Sequence, residues 1–317
     1  MKLYKKILAG VLFGAMIGQA GAQAPLGIGT SGQGSMTYSV GSAAASLFSD
    51  KTQLRAVVQP QAGTGVMVPL VNQGELDLGF AGVIEISQAY TGTGEFRRDN
   101  KNLRIVGRMF TSRVSLMVRA DSDIRSIADL KGKTIAYGYT STPVFRDIIQ
   151  GILANGGLTI DDVDTLPVPG LLRGADEFAA GNVDAAFFAV GAGKVSQVDA
   201  SIGGIRFLPL DTSDAALQRM RDVVPLTYPH TVEPSGALAG IEERKAVMGY
   251  DHVLFTGKHV SDDVIYDITR AIAGNKDHLV QSFGGFRGMD PKLMAGDYDV
   301  PLHDGAIRYY REAGLVD

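Results

Sequence analysis

The 317-residue sequence contains no cysteine. This absence excludes disulfide bonds, thiolate-ligated zinc sites, iron–sulfur clusters and cysteine nucleophiles. It also excludes a lipid anchor attached to an N-terminal cysteine, because such an anchor needs an acceptor thiol. The chemistry available to this chain is therefore that of oxygen and nitrogen groups.

Histidine is scarce, with five in the chain, and none belongs to an H-x-x-x-H or H-E-x-x-H pair. The sequence also has no G-x-S-x-G nucleophile elbow, no dinucleotide G-x-G-x-x-G in register and no P-loop. Paired acids such as Asp161-Asp162 and Asp262-Asp263 are typical of helix starts rather than of a catalytic pair. We therefore expect no metal, no cofactor and no enzymatic activity.

Long apolar runs are missing except at the N-terminus. Lys2, Lys5 and Lys6 precede an apolar run over Ile7–Ile17 and an A-x-A cleavage site at Ala20-Gly21-Ala22. Residues 1–22 are predicted to be a secretory signal, so that the mature chain begins at Gln23 in a bacterial periplasm; an uncleaved anchor is the alternative. Removing its three lysines from a formal net charge of −4 leaves −7, which disfavours a nucleic-acid partner. The mature protein is expected not to span a membrane.

The rest of the chain predicts alternating strands and helices, which indicates an α/β fold. Two separate strands are predicted at 103–109 and 115–118. Three prolines predict that residues 225–249 are irregular. The other predicted strands lie at 26–29, 54–59, 76–80, 134–137, 165–168, 185–188, 206–210 and 251–256. The clearest predicted helices lie at 37–48, through Val71, from Pro143 to Leu153, 214–223, after Ser261 and 304–313.

Three strand-to-helix junctions are rich in glycine and hydroxyl residues, and they account for part of the 40 glycines. They are Gly29–Ser35, Ala62–Gly65 and Gly138–Thr142. Exposed N–H groups at helix starts favour anions, and ligands bind at the carboxyl ends of strands in open α/β sheets. The junctions therefore predict an anion site if they converge, although each alone is also compatible with an ordinary connection.

Several ordered motifs carry a family resemblance. They are IGTSGQGSMTYSVG at 28–41, QGELDLGF at 73–80 with AYTG at 89–92, LMVRAD at 116–121 with IADLKGK at 127–133, GNVDAAF at 181–187 with Gly191-Ala192, and PLHDGAIRYYRE at 301–312. With these motifs the chain resembles TAXI-type receptors, the periplasmic solute-binding proteins of tripartite ATP-independent periplasmic (TRAP) transporters.

This resemblance implies a type II, flytrap-like binding protein with two lobes of mixed sheet flanked by helices. Lobe 1 would comprise residues 23–114 and 256–317, lobe 2 residues 120–250, and the hinge strands 115–119 and 251–255. The implied function is capture of a small organic anion, a glutamate-like or dicarboxylate ligand, by a monomer that delivers it to TRAP permease subunits. A ligand-sensing subunit for a membrane histidine kinase, or an enzyme on the same scaffold, are the alternatives.

The chain departs from the family pattern at positions expected to line the cleft. Val66-Met67 replaces Glu-Asn, and Ala81-Gly-Val-Ile84 replaces V-Q-S-D, so we expect a ligand with a more apolar body. Arg113, before a hinge strand, and Arg173, in a predicted loop after Pro169-Gly170, are candidates for a carboxylate clamp. The predicted ligand-binding residues are Ser31, Gly32, Gln33, Gly34, Ser35, Tyr38, Gly63, Thr64, Ala81, Gly82, Arg113, Tyr137, Tyr139, Thr140, Ser141, Thr142, Arg173, Val190 and Gly191.

Overall fold

The computed structural model describes residues 24–33 and 35–316. The predicted signal segment, its cleavage site and Gly34 lie outside the described residues. Within the described ranges, no helix has both the length and the apolar character needed to cross a membrane.

The described residues form a ten-stranded mixed sheet flanked by ten α-helices, which confirms the predicted α/β fold. The strands are β1 Leu26–Thr30, β2 Ala56–Pro60, β3 Leu78–Gly82, β4 Leu103–Arg119, β5 Thr134–Gly138, β6 Asp164–Val168, β7 Ala185–Ala189, β8 Ile205–Phe207, β9 Tyr228–Val232 and β10 Lys245–Gly257. The helices are α1 Met36–Lys51, α2 Thr64–Gln73, α3 Val83–Thr91, α4 Val144–Asn155, α5 Leu171–Ala179, α6 Gly193–Ile202, α7 Asp214–Val223, α8 Asp262–Gly274, α9 Lys276–Ser282 and α10 Asp304–Glu312.

Two long strands, β4 and β10, run antiparallel through the middle of the sheet, whose order is β2-β1-β3-β10-β4-β7-β5-β6. Each changes partners along its length. β10 pairs with β3 over 252–256 and with β9 over 245–249, while β4 pairs with β7 and β8 over 114–119. The change falls at Thr111–Arg113 and Gly249–Asp251, which we name the crossover region. It separates a first half (β1–β3, α1–α3, α8–α10) from a second half (β5–β9, α4–α7).

In both halves the parallel strands point with their carboxyl ends towards the crossover region. β1, β2 and β3 are parallel, and Gly82 at the end of β3 pairs with His252. In the second half β5, β6 and β7 are parallel, and Ala189 at the end of β7 pairs with Val114. The carboxyl ends of all six strands, and the helix starts that follow them, therefore face the crossover region, where α/β folds bind ligands.

The buried apolar side chains form two clusters, one that extends over both halves and one within the first half. In the first half Ile28, Leu47, Phe48, Ile265 and Tyr310 are fully buried together. Serine side chains cap two of the helices, since Ser35 and Ser213 accept hydrogen bonds from the backbone N–H groups of Tyr38 and Ala216. These caps fix where α1 and α7 begin.

Two sequence-based predictions about strands are wrong. Residues 103–119 form one strand instead of two, because β10 pairs with the polar segment Thr111–Arg113 and keeps it extended. Residues 225–249 are not irregular throughout, since they contain β9 and the beginning of β10. Pro229 is tolerated in β9, which pairs only with β10 among the described strands and so lies at an edge.

Candidate functional site

The glycine-rich junctions of the two halves meet at Ser141. A methyl group placed on Gly63, at the start of α2, would lie 3.9 Å from the carbonyl oxygen of Ser141, and one on Gly170 would lie 3.1 Å from its Oγ. The Ser141 hydroxyl also donates to the carbonyl oxygen of Pro169 over 2.7 Å. Two of the three predicted junctions, Ala62–Gly65 and Gly138–Thr142, therefore meet across the halves, and the β6–α5 junction joins them from within the second half. These contacts do not include the third predicted junction, Gly29–Ser35.

Thr64, a predicted ligand-binding hydroxyl, is already engaged by two carboxyl groups. Its Oγ1 lies 2.9 Å from Glu85 Oε1 and 3.4 Å from Glu95 Oε1. Glu85 Oε2 also accepts a hydrogen bond of 3.0 Å from the Gly82 backbone N–H. Burial raises the pKa of Glu85 to about 7 and is also the main cause of the raised pKa of Glu95. The start of α2 is therefore flanked by acids.

A polar contact joins α3 of the first half to α4 of the second, and we name it the α3–α4 bridge (Gln88, Glu95, Arg146 and Asp147). Gln88 Nε2 donates to Asp147 Oδ2 over 2.8 Å. Arg146 is close enough to Glu95 for its charge to oppose the rise in the pKa of that carboxyl. The bridge gives the halves a direct connection besides the crossover strands.

Arg113 lies at the crossover region and contacts the β7–α6 junction. Its carbonyl oxygen accepts a hydrogen bond of 2.8 Å from the Val190 N–H. A methyl group on Gly191 would lie 3.8 Å from Arg113 Nη2 and 3.0 Å from Leu238 Cδ2. Arg113 is half-buried, and among the described residues its guanidinium has neither a carboxylate nor any other hydrogen-bond partner. Three predicted site residues, Arg113, Val190 and Gly191, are thus brought together.

The prediction that Arg173 lies in a loop is wrong, because it lies in helix α5. It is the third residue of α5, because Gly170 ends the preceding loop and acts as the N-cap residue of the helix. Its guanidinium pairs with Glu177 one turn along, and its side chain is 61% exposed. No contact joins it to Arg113 within the described chain.

The three predicted tyrosines have other contacts. Tyr139 is fully buried and packs edge-to-face against Phe145 and Phe187, with ring centroids 5.9 and 6.2 Å away. The Tyr137 hydroxyl accepts a hydrogen bond of 2.6 Å from Gln150 Nε2. Tyr38 lines a shallow depression with Ser282 of α9, in the first half. Tyr139 is therefore held by packing and Tyr137 by a hydrogen bond within the second half, and neither contact involves the first half.

The remaining predicted residues occupy loops and strand ends. Ser35 caps α1, and the Ser31 N–H donates to Thr37 Oγ1 over 3.0 Å. Gly32, Gln33, Thr140 and Ser141 are exposed, Gly82 and Thr142 lie near the helix starts, and Ala81 is buried in β3 against β10. Gly34 lies outside the described residues. Structurally, the hydroxyl loop at 140–142 is accessible, whereas Ala81 contributes to the core.

A partly buried polar cluster surrounds Asp251 in the crossover region, and the sequence does not predict it. Asp251 accepts hydrogen bonds from the hydroxyls of Tyr228 (2.6 Å) and Tyr298 (2.9 Å) and pairs with Arg108 Nε at 2.8 Å. Burial and the bond to Asp251 raise the pKa of Tyr228 to about 12. The members come from four distant segments, so no local motif reveals them. Glu85, by contrast, has a local signal, an acid three residues after the helix-capping position.

No three metal-ligating side chains come together in the part of the chain that is described. Residues 28–314 match the NMT1-like family. The chain belongs to this family. The match extends over both halves, whereas the TAXI type remains a prediction.

Solved structures show the same fold as this NMT1-like protein at low sequence identity. A protein described as a periplasmic transporter has a TM-score of 0.55 at 14% identity, covering 92% of both chains. A TctC solute-binding protein from Polaromonas has a TM-score of 0.53 at 14% identity, covering 92% of this chain and 96% of the other. The periplasmic aliphatic sulphonate-binding protein SsuA from Escherichia coli has a TM-score of 0.51 at 17% identity, covering 92% and 91%. The fold is therefore that of periplasmic binding proteins.

Proposed function

We propose that this NMT1-like protein is a periplasmic solute-binding protein that captures a small organic anion and delivers it to a membrane permease. The observation that carries the proposal is Arg113, a half-buried cation with no carboxylate partner among the described residues, positioned where the two halves meet. A partly desolvated guanidinium forms strong, paired hydrogen bonds with a carboxylate. An anionic ligand would supply the partner that the described protein residues do not.

Closure of the two halves is part of the proposal. The lobes are residues 23–114 with 256–317 and residues 120–250, with hinge strands predicted at 115–119 and 251–255. The change of strand partners supports a bend close by, at Thr111–Arg113 and Gly249–Asp251. A ligand held by Arg113 and by the loops of both halves would bind the closed form more tightly and shift the population towards it.

The anion is assigned to the Arg113 side of the site rather than to the start of α2. Glu85 and Glu95 already accept hydrogen bonds from the Thr64 hydroxyl, which is therefore not free to donate to an anion. Arg113, Val190 and Gly191 offer a cation and a glycine that leaves room beside it. The predicted residues Thr140, Ser141 and Thr142 remain candidates for further hydrogen bonds.

The ligand is proposed to carry an apolar body in addition to its carboxylate. Val66 and Leu172, in the first turns of α2 and α5, are 46% and 64% exposed. They lie on helices that begin at the junctions meeting at Ser141, one in each half. Exposed apolar side chains at these helix starts fit alkyl or aromatic carboxylates better than small dicarboxylates. Delivery to a TRAP permease, as the TAXI resemblance implies, is the finer form of the proposal.

Thermal-shift measurements on the mature protein provide the test. The panel contains aliphatic and aromatic carboxylates, L-glutamate, succinate, alkyl sulfonates, neutral sugars and organic cations. We expect one or more anions to raise the melting temperature while the sugars and cations leave it unchanged. Stabilisation by cations or sugars alone, or by no compound, would overturn the proposal.

A further inference from the structure

The face of the sheet that presents Arg113 also presents a histidine. Arg113 of β4 pairs with Gly249 of β10, and Gly249 pairs with Tyr228 of β9. Directly paired residues of antiparallel strands lie on one face, and residues two apart on a strand share that face. Arg113, Tyr228 and His230 therefore lie on the same face. Gly249 of β10 lies between Arg113 on β4 and the two residues on β9.

Gly249 leaves open the space that this arrangement needs. A methyl group at Gly249 would lie 2.8 Å from Tyr228 Cε2 and 3.0 Å from His230 Cβ. Both side chains therefore lie over the glycine, on the side where Arg113 projects. A residue with a side chain at position 249 would separate Arg113 from His230.

In the absence of a ligand, the surroundings of His230 favour its neutral form. The imidazole is half-buried, and loss of solvation lowers its pKa, with further lowering by the charges of Arg113 and then Arg108. Asp251 acts in the opposite direction, but its oxygens already accept from Tyr228 and Tyr298 and pair with Arg108. Within residues 24–33 and 35–316, neither His230 nor Arg113 forms an ion pair with a carboxylate.

We infer that Arg113 and His230 together bind the anionic group of the ligand, and that His230 takes up a proton from solvent as the anion binds. This inference rests on the proposed function and adds a second binding residue to it. An anion beside the imidazole would offset the repulsion from Arg113 and Arg108 and favour the charged form. His230 would then donate a charge-assisted hydrogen bond next to the guanidinium.

The consequence is a pH-dependent affinity with a defined sign. A group whose pKa is higher in the complex than in the free protein binds a proton on complex formation, so the affinity rises as pH falls between the two values. The rise is at most about tenfold per pH unit for one proton. Leu238 and Gly191, on the loops beside Arg113, carry no titratable side chain and so do not contribute to this pH dependence.

Isothermal titration calorimetry tests the inference with succinate, L-glutamate, benzoate and methanesulfonate as probes. Wild-type protein, His230→Gln and the control His278→Gln, on the distant helix α9, are titrated at pH 5.5 and 7.5 in two buffers of different ionisation enthalpy. We expect wild type and the control to bind several-fold more tightly at pH 5.5 with net proton uptake. His230→Gln is expected to lose both effects and to bind more weakly at pH 5.5.

A ligand-free readout keeps the result interpretable. The pKa of His230, followed by NMR of its imidazole, is expected to rise in Arg113→Gln because one of the lowering charges is gone. An unchanged His230 pKa in that variant, or pH-dependent proton uptake retained in His230→Gln, would overturn the inference while leaving anion capture intact. If no anion of any class binds, both the proposed function and the inference fail.

Discussion

Glu85 provides a prediction about stability that follows from the site geometry. The residue is 7% exposed, and its carboxyl group accepts hydrogen bonds from the Gly82 N–H and the Thr64 hydroxyl. Burial raises its pKa from 4.5 to about 7. The folded protein therefore keeps a proton that the unfolded chain releases above pH 4.5, and the free energy of unfolding falls as pH rises through this interval.

The size of the effect follows from the shift. Each pH unit between the two pKa values changes the free energy of unfolding by about 1.4 kcal/mol, so the loss between pH 4.5 and 7 is about 3 kcal/mol at most. Glu85→Gln replaces the carboxyl with a neutral group of the same shape. The variant is expected to match wild type at pH 5 and to exceed it at pH 8 by up to about 3 kcal/mol, which corresponds to about 5 °C in melting temperature for a chain of this size.

Differential scanning calorimetry from pH 5 to 8 measures the effect on wild type, Glu85→Gln and Glu75→Gln. Glu75 is exposed near the end of α2 and serves as the matched control. Because other groups titrate in all three proteins, the difference between the curves isolates Glu85. Parallel curves for Glu85→Gln and wild type, or a variant that is less stable at pH 8, would refute the assignment of a protonated buried carboxyl.

Two further predictions concern the α3–α4 bridge and the packing of α10. Gln88→Ala removes the hydrogen bond to Asp147 between the halves and is expected to weaken anion binding about two- to tenfold in calorimetric titrations, since such a bond contributes about 0.5–1.5 kcal/mol. The exposed Gln73→Ala is its control, and an unchanged dissociation constant for Gln88→Ala would show that the bridge does not contribute to anion binding. Gly305→Ala places a methyl group against the backbone carbonyl of Asp262 and is expected to cost about 1–3 kcal/mol in thermal unfolding. Gly274→Ala, which meets no atom within 4 Å, should not be destabilised, and equal melting temperatures for the two variants would contradict the packing described here.

Local signals in the sequence predict much of the fold. The predicted strands at 26–29, 134–137 and 185–188 end within one residue of β1, β5 and β7, and the predicted helices at 37–48 and 214–223 lie within a few residues of α1 and α7. The continuous strand β4 could not be read locally, because the polar residues Thr111–Arg113 are extended only through pairing with β10. For the same reason β9, with its proline, resembles a loop until its partner is known.

The candidate site was predicted less completely than the fold. Arg113, Val190 and Gly191 do come together. Tyr139, in contrast, lies in the core, where it packs against Phe145 and Phe187. The local sequence does not reveal this burial, because it depends on tertiary contacts. Thr64 is predicted to bind the ligand, and its engagement by Glu85 and Glu95 instead depends on residues 21 and 31 positions away. Arg173 was predicted in a loop, whereas the helix α5 that contains it pairs it with Glu177.

The central claim is that an anion binds between the halves through Arg113. Calorimetric titration of the anion that most raises the melting temperature, with wild type, Arg113→Lys, Arg113→Ala and the exposed control Arg55→Ala, tests it most directly. Loss of a hydrogen-bonded charge partner costs about 2–5 kcal/mol, so Arg113→Ala is predicted to bind about 30-fold or more weakly, with a smaller loss for Arg113→Lys and none for Arg55→Ala. An Arg113→Ala protein that binds the anion as tightly as wild type would contradict the account.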